Sequence, residues 1–315
     1  MIDRRLTVLR AVARHGTVTA AAEVCHLTPS AVSHQLQALA QELDVPLVER
    51  VGRNVRLTPA AHALLAHADT LIAQWEQARA DLAAYRDNAL TGPLRLCGFS
   101  SAAAVLLPAT VTQLRDTSPQ LTVQVREAEP RRAFDLLTSN DVDIGAVVAT
   151  QDIPTATDPA FEQHFLLHEP LDLLVAREHP LARTPSTALA DASTQPWIVG
   201  TPGSAYHQLV WLTCASAGFV PHVAHYADEW DTGAALVARG FGVALIPRLA
   251  HVPEAHQLAR LPLSGHPAPT RRLLAAVRAG SGEQPHIAAG LAALRDVAAR
   301  YVASTRPQDP GSAVD

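Results

Sequence analysis

The first third of the chain alternates short apolar stripes with polar helix caps. Leu6, Leu9, Val12 and Ala13 recur at helical intervals and stop at Gly16, a residue suited to a helix C-terminus. Residues 17–39 (TVTAAAEVCHLTPSAVSHQLQAL) predict two short helices about a tight turn. Thr19 caps an alanine-rich helix, His26-Leu27 turn, and Thr28-Pro29 restart the chain as N-cap and first helical residue. Val32, Leu36, Leu39 and Leu43 give the second helix a buried side. Ser30, Ser33, His34, Gln35 and Gln37 occupy its other faces, and none is acidic. Pro46 ends the helical run, and Val51, Val55 and Leu57 alternate around Gly52-Arg53-Asn54 as a short hairpin.

Thr58-Pro59 repeats the cap signal and opens the longest helix. Ala61, Leu64, Ala68, Leu71, Trp75, Ala78, Leu82 and Tyr85 follow in steps of three and four, a heptad seam. At the α-helical rise such a helix is on the order of 40 Å long. A stripe this narrow asks for a partner helix, most simply the same one from a second copy. Packing against its own chain is the alternative.

Beyond residues 88–93 (NALTGP), a hinge by composition, strands and helices alternate. Strands are expected at 94–99, 121–126 and 142–148, with helices at 103–115 and 131–139. A second set follows: strands at 161–168, 171–176, 197–199, 222–226 and 243–246, and helices at 206–217 and 231–239. A strand at 272–278 and a helix at 286–303 close the series, before a disordered tail, 304–315. That rhythm predicts an α/β region built on a parallel sheet covered by helices.

Composition sharpens the division. The net charge of the 315-residue chain is −5, so it is no polybasic nucleic-acid binder as a whole. Residues 1–60 nevertheless hold seven arginines against five acids, a balance of +2 that leaves −7 for the remainder. All 25 basic residues are arginine, which excludes a P-loop or Schiff-base lysine. Cys25, Cys97 and Cys214 form no C-x-x-C pair, and a reducing cytoplasm is expected. The N-terminus has no signal-peptide core and no stretch is apolar enough to span a membrane, so no membrane partner is expected.

The helix pair has the form of a helix-turn-helix, whose uncharged donors and acceptors read base edges without repelling phosphate. Thr28, Pro29, Ser30, Ser33, His34 and Gln35 are its DNA-facing candidates. Arg50, Arg53 and Arg56 project from the hairpin as a wing toward phosphate or a minor groove. Ordinary core helices and a solvated basic loop are the plain alternatives. In the α/β region, ligands collect where strands give way to helix N-termini. Ser100 and Ser101 follow the first strand, Thr201 and Ser204 follow the strand at 197–199, and Thr150 ends a crossing strand. Their hydroxyls and backbone amides suit a carboxylate or other small anion, although each also serves as an ordinary N-cap.

These features together resemble LysR-type transcriptional regulators over nearly the whole chain. In the head, the resemblance rests on Leu9, Gly16-Thr17, Ala21-Ala22, Leu27, Ala31-Val32-Ser33, Gln35-Leu36, Leu39, Leu43, Pro46-Leu47, Arg50 and 57–60. In the body it rests on 90–96 (LTGPLRL), 106–108 (LLP), Pro119, 141–146 (DVDIGA) and 236–247 (LVARGFGVALIP). Ala40, Asp44, Val48 and Ala61 depart from the family pattern at packing or turn positions, and His34 stands where arginine is common. The resemblance implies a winged helix-turn-helix at 1–60 and a dimerising linker helix at 61–88. It also implies a two-lobed α/β effector-binding domain at 92–303, of periplasmic-binding-protein-like form. Lobe 1 would be 92–161 with 265–302, and lobe 2 would be 162–264. The implied function is a cytoplasmic regulator, not an enzyme, whose grip on a palindromic operator in promoter DNA responds to a small-molecule effector between the lobes. A homodimer, assembled further into a homotetramer, is implied with it.

Two other classes stay open on the residues. A solute-binding protein shares the two lobes but needs an export signal. A hydrolase needs a nucleophile, and residues 98–102 (GFSSA) are not a G-x-S-x-G elbow. His164/His168 and His222/His225 sit on predicted strands, and His251 and His256 in a loop, without clustered acids or thiols. No metal site and no cofactor are expected.

Overall fold

The structure, a computed structural model, describes residues 3–305 except 53, 84, 86–89 and 266–267. Helix α1 (Arg4–His15) starts under the Asp3 side chain, which accepts from the Arg5 amide, and ends at Gly16 with φ 68°, a left-handed conformation that glycine adopts freely. Its buried stripe is Leu6, Val8, Leu9, Ala11 and Val12. Ala13, expected in that stripe, is exposed, because the stripe turns toward Val8 and Ala11. Helix α2 (Val18–Val24) is capped by Thr17 and not by Thr19. Thr17 is extended after Gly16, so its hydroxyl reaches the Ala20 amide at 3.2 Å, while Thr19 already lies in the first turn.

Helix α3 (Pro29–Glu42) has the expected cap, with Thr28 Oγ1 accepting from the Ala31 amide at 3.2 Å. Val32, Leu36 and Leu39 are buried, but Leu43 is 42% exposed. Leu43 is where the chain leaves the helix, and Leu47, 1% exposed, fills the core in its place. Strands β1 (Val48–Val51) and β2 (Asn54–Leu57) pair antiparallel as the hairpin wing. The Thr58 side chain then caps α4 (Pro59–Ala83) and donates to the Pro46 carbonyl, tying helix to wing.

In the α/β region β3 (Gly92–Gly98), α5 (Ser100–Thr117), β4 (Leu121–Glu127), α6 (Pro130–Thr138) and β5 (Ile144–Val148) form a parallel β4-β3-β5 sheet with its helices. Next comes β6 (Phe161–Ala176), one continuous strand where two were expected. Its first part, to Pro170, pairs with β12 (Thr270–Arg278), and from Leu171 onward it pairs with β10 (Ala244–Pro247) and β11 (Leu258–Ser264). All of these pairings are antiparallel, as is β5 with β12, so the sheet is mixed rather than parallel. Strand β7 (Thr187–Ala188) closes the edge beside β11. Strands β8 (Pro196–Val199) and β9 (His222–Tyr226) pair parallel, each followed by a helix, α7 (Ala205–Ser216) and α8 (Trp230–Ala238). Helix α9 (Pro285–Thr305) returns across the first lobe, packing Ile287, Leu291 and Leu294 on Leu94 and Ile144. Each such side chain, fully buried, contributes roughly 1.5–3 kcal/mol relative to exposure.

The long helix serves two masters. Ala61 and Ala68 pack with Leu9 and Leu36 into the core of the N-terminal helix-turn-helix unit, called the reader below. Farther along, buried Glu76 accepts from Gln284 and lies 3.7 Å from the Arg278 guanidinium. A side chain at Gly280 would collide with the Ala73 carbonyl, so helix and loop approach as closely as backbones allow. The opposite edge stays open: Leu71, Trp75 and Leu82 are 53%, 45% and 61% exposed.

Candidate nucleic-acid interface and interlobe cleft

On α3 the three buried residues fix which side meets solvent. Thr28, Pro29, Ser30, His34 and Gln37 are exposed and Ser33 is half-exposed. Thr28 and Ser30 share a hydrogen bond at 3.0 Å at the helix start. Gln35 differs from its neighbours: its Oε1 is buried without a hydrogen-bond partner in the free protein. On the wing, Arg56 is exposed and 2.7 Å from Glu49 across the hairpin. Arg50 belongs to β1 and Arg53 lies outside the described residues. The face is thus a polar helix beside a basic hairpin, without a carboxylate on the exposed turns of α3 before Gln41.

A cavity of about 530 Å³ opens between the lobes. That lies within the ordinary range for small-molecule sites. The N-terminal residues of α5, α6, α7 and α8 all reach it, because each of these helices follows a strand of one lobe or the other. Ser100, Ser101, Thr150 and Ser204 line it; Thr201 does not. The Thr201 amide and hydroxyl both donate to Asp228, which is a lining residue. Gln208 on α7 donates to Asp152 from the other side at 2.6 Å, a polar bridge over the opening.

Several lining residues were not picked out from the sequence. Tyr206 and Trp230 meet edge to face with centroids 4.8 Å apart, and the Tyr206 hydroxyl donates to the Leu245 carbonyl. Arg271 is buried; its Nε donates to Glu169 at 2.6 Å, its Nη2 to Ser101 at 2.8 Å, and its guanidinium lies 4.8 Å from the Phe99 ring centre. Glu127, Glu129, Asp152, Asp228 and Glu229 bring five carboxylates to the lining against the guanidiniums of Arg131 and Arg271. The rule that selected Ser100 and Ser204, that a strand ends where a helix begins, points equally to Glu129 before α6 and Glu229 before α8.

Helix α6 also touches the reader. His15 Nε2 lies 2.8 Å from Asp135 Oδ1, and the Arg14 guanidinium lies 4.7 Å from the Phe161 ring centre and 3.8 Å from Asp158. Burial opposes the charge of Arg14, and the two aspartates favour it. At the turn of the helix-turn-helix, His26 meets Asp141 at 2.7 Å. Among the described residues no group of three His, Cys, Asp or Glu is placed to hold a metal ion. No helix among them is long and apolar enough to cross a membrane.

Residues 4–62 match the family model described as bacterial regulatory helix-turn-helix protein, lysR family, and residues 87–299 match that of the LysR substrate binding domain. A Streptomyces viridosporus protein described as "Probable hydrogen peroxide-inducible genes activator" is 31% identical over 310 residues, covering 95% of this chain and 96% of its own length. The structure of full-length OxyR from Pseudomonas aeruginosa, solved as a point variant, superposes with a TM-score of 0.63 at 24% identity, covering 95% of this chain and 94% of that one. The BenM effector binding domain with its effector benzoate superposes at 0.60 and 23% identity, covering 69% of this chain and 96% of that one.

Proposed function

The chain belongs to the LysR family of bacterial regulators, and from that membership we propose how its parts divide the work. It is a DNA-binding transcription regulator with an effector-binding domain. Residues 1–60 engage one half of a two-fold operator, with Ser33 and His34 toward base edges and Arg50, Arg53 and Arg56 on phosphate. Residues 61–88 pair two copies through the open edge that carries Leu71, Trp75 and Leu82. Residues 92–161 with 265–302, and 162–264, hold the effector between them. The protein works by binding rather than by catalysis, in the cytoplasm with the chromosome.

The observation that carries this reading is α6. One end, Pro130 and Arg131, lines the cleft, and the other, Asp135 and Thr138, meets His15 and Arg14 of the reader. Nine residues of helix span about 13 Å at the α-helical rise. A ligand that binds one arrangement of α6 better than another therefore biases the reader by that affinity difference.

Footprinting on the intergenic DNA beside its own gene tests the proposal. Protection is expected over two half-sites about one helical turn apart or a multiple of it, weakening steeply with salt. Protection of a single half-site by a monomer would remove it.

The relative named as a probable hydrogen peroxide-inducible genes activator raises a second reading, oxidation of a thiol by peroxide. Nothing in the cysteines favours it. Cys25, Cys97 and Cys214 are free and buried, and burial pushes the thiols of Cys97 and Cys214 up to about 12. The thiolate is the reactive form, so these are packing residues.

A further inference from the structure

We propose, taking the interlobe cleft as the effector site, that its ligand is an organic cation with an apolar body, an arylalkyl or alkyl amine, whose ammonium group meets the carboxylates of Glu129 and Glu229.

Two opposing fields meet in the cavity. Four helix N-termini face it, each carrying about half a positive charge, roughly two in all. That field alone favours an anion. Against it stand five carboxylates and two guanidiniums, an excess of three negative charges. Arg271 has little left for an incoming anion, because its charge is largely matched by Glu169, which is wholly buried behind it. Counting that pair as neutral, the lining has four negative charges in excess, and the carboxylates outweigh the helix ends.

The acids are not equivalent. Asp228 is held by Thr201, and Asp152 by Gln208. Glu129 and Glu229 occupy the N-cap positions of α6 and α8, yet neither side chain bonds back to its own helix. A carboxylate that caps a helix has its lone pairs in use; these two line the cavity and make no hydrogen bond or ion pair with another described residue. Partial burial, then Glu127, holds the Glu129 carboxyl above its ordinary range; Arg271 offsets this only in part, and Asp228 and Glu229 add to it. A cation is what relieves that repulsion. Glu129 comes from the first lobe and Glu229 from the second, so one ammonium group between them draws the lobes together. Beside its hydroxyl and amide groups the wall offers apolar surface for the ligand's body, from Trp230 and Tyr206 with Leu209 and Leu212. The Trp230 ring would add a cation–π contact to a bound ammonium group.

Calorimetric titration of the full-length protein with matched probes tests the assignment: phenethylamine against phenylacetate, and cadaverine against glutarate. In at least one pair the amine is expected to bind about tenfold or more tighter than the carboxylate. Glu129→Gln with Glu229→Gln should weaken amine binding about tenfold or more while the unliganded protein melts as before. Leu212→Trp, which fills the cavity, should abolish binding. Tighter binding of the carboxylates, blocked by Leu212→Trp, overturns the charge assignment and leaves the cleft as the effector site. Amine binding that survives both the double substitution and Leu212→Trp is surface association and overturns the proposal. So does the absence of binding by all four probes, and the footprinting experiment then judges the regulator reading separately.

Discussion

His15 and Asp135 face each other across a domain boundary, 2.8 Å apart, with each side chain 9% exposed. His15 is the last residue of the reader's first helix, and Asp135 lies in the second half of the helix whose start reaches the cleft. Losing one partner of a buried hydrogen bond costs about 1–3 kcal/mol. His15→Ala or Asp135→Asn should therefore loosen the reader from the first lobe. Hydrogen–deuterium exchange is expected to accelerate about fivefold or more in α1 and α6, with the lobe-2 helices unchanged. Equal exchange in wild type and variants would show that the contact has no weight.

The reading face has its own test. Ser33→Ala with His34→Ala should flatten the preference between operator and scrambled DNA while leaving non-specific affinity in place, because both side chains are free of the core. Arg56→Ala should weaken binding to every sequence and reduce the salt slope by about 1, one phosphate contact's worth. Fluorescence anisotropy at several salt concentrations separates the two effects.

The exposed edge of α4 predicts an assembly. Trp75→Glu or Leu82→Glu places a charge in the proposed seam without touching the buried face that carries Glu76. Multi-angle light scattering should then report a lower oligomer than wild type, with an unchanged circular dichroism spectrum. Operator affinity should fall by several orders of magnitude as two-site binding is lost.

Acid should weaken the first lobe through Asp143. Burial raises its carboxyl, but the Arg95 side chain and amide, with Arg278 behind them, more than offset this and hold it below the ordinary carboxylate range. A carboxylate depressed on folding contributes its full stability above the unfolded value, about 3.9, and loses it as pH falls through the folded value. Arg95→Met removes most of the depression. Its denaturant midpoint should therefore lie below wild type at pH 6 and fall less than wild type's as the pH is lowered from 6 to about 3.

The thiols should be inert. With Cys97 and Cys214 pushed up to about 12 by burial, iodoacetamide at neutral pH should label neither in the folded protein. Hydrogen peroxide should leave operator binding as it was. Rapid labelling under native conditions, or a peroxide-dependent footprint, would restore the thiol mechanism.

What the sequence made legible was whatever depends on local spacing. Thr28-Pro29 announced α3, Gly16 the end of α1, and the three-four rhythm from Ala61 the long helix, because caps and periodicity act within a few residues. Thr17 took the place of Thr19 because the left-handed turn at Gly16 shifted the cap by two positions. Strand direction was not legible: nothing in Leu171–Ala176 says that its neighbours come from residues 244–264 and run the other way. The cleft was seen only in part. Hydroxyl residues at strand ends stood out as N-caps, while Glu129 and Glu229 look like ordinary helix-start acids until both lobes are brought to one cavity.

Strand β6 has one more implication. The same sixteen residues are hydrogen-bonded into the first lobe up to Pro170 and into the second from Leu171. Two bodies that share a hydrogen-bonded rod cannot drift apart like beads on a string. Their relative motion is confined to bending and twisting of that rod where its pairing changes, beside Pro170. Whatever fills the gap therefore acts on two bodies that already share a backbone, and any shift of one is passed to the other through that strand.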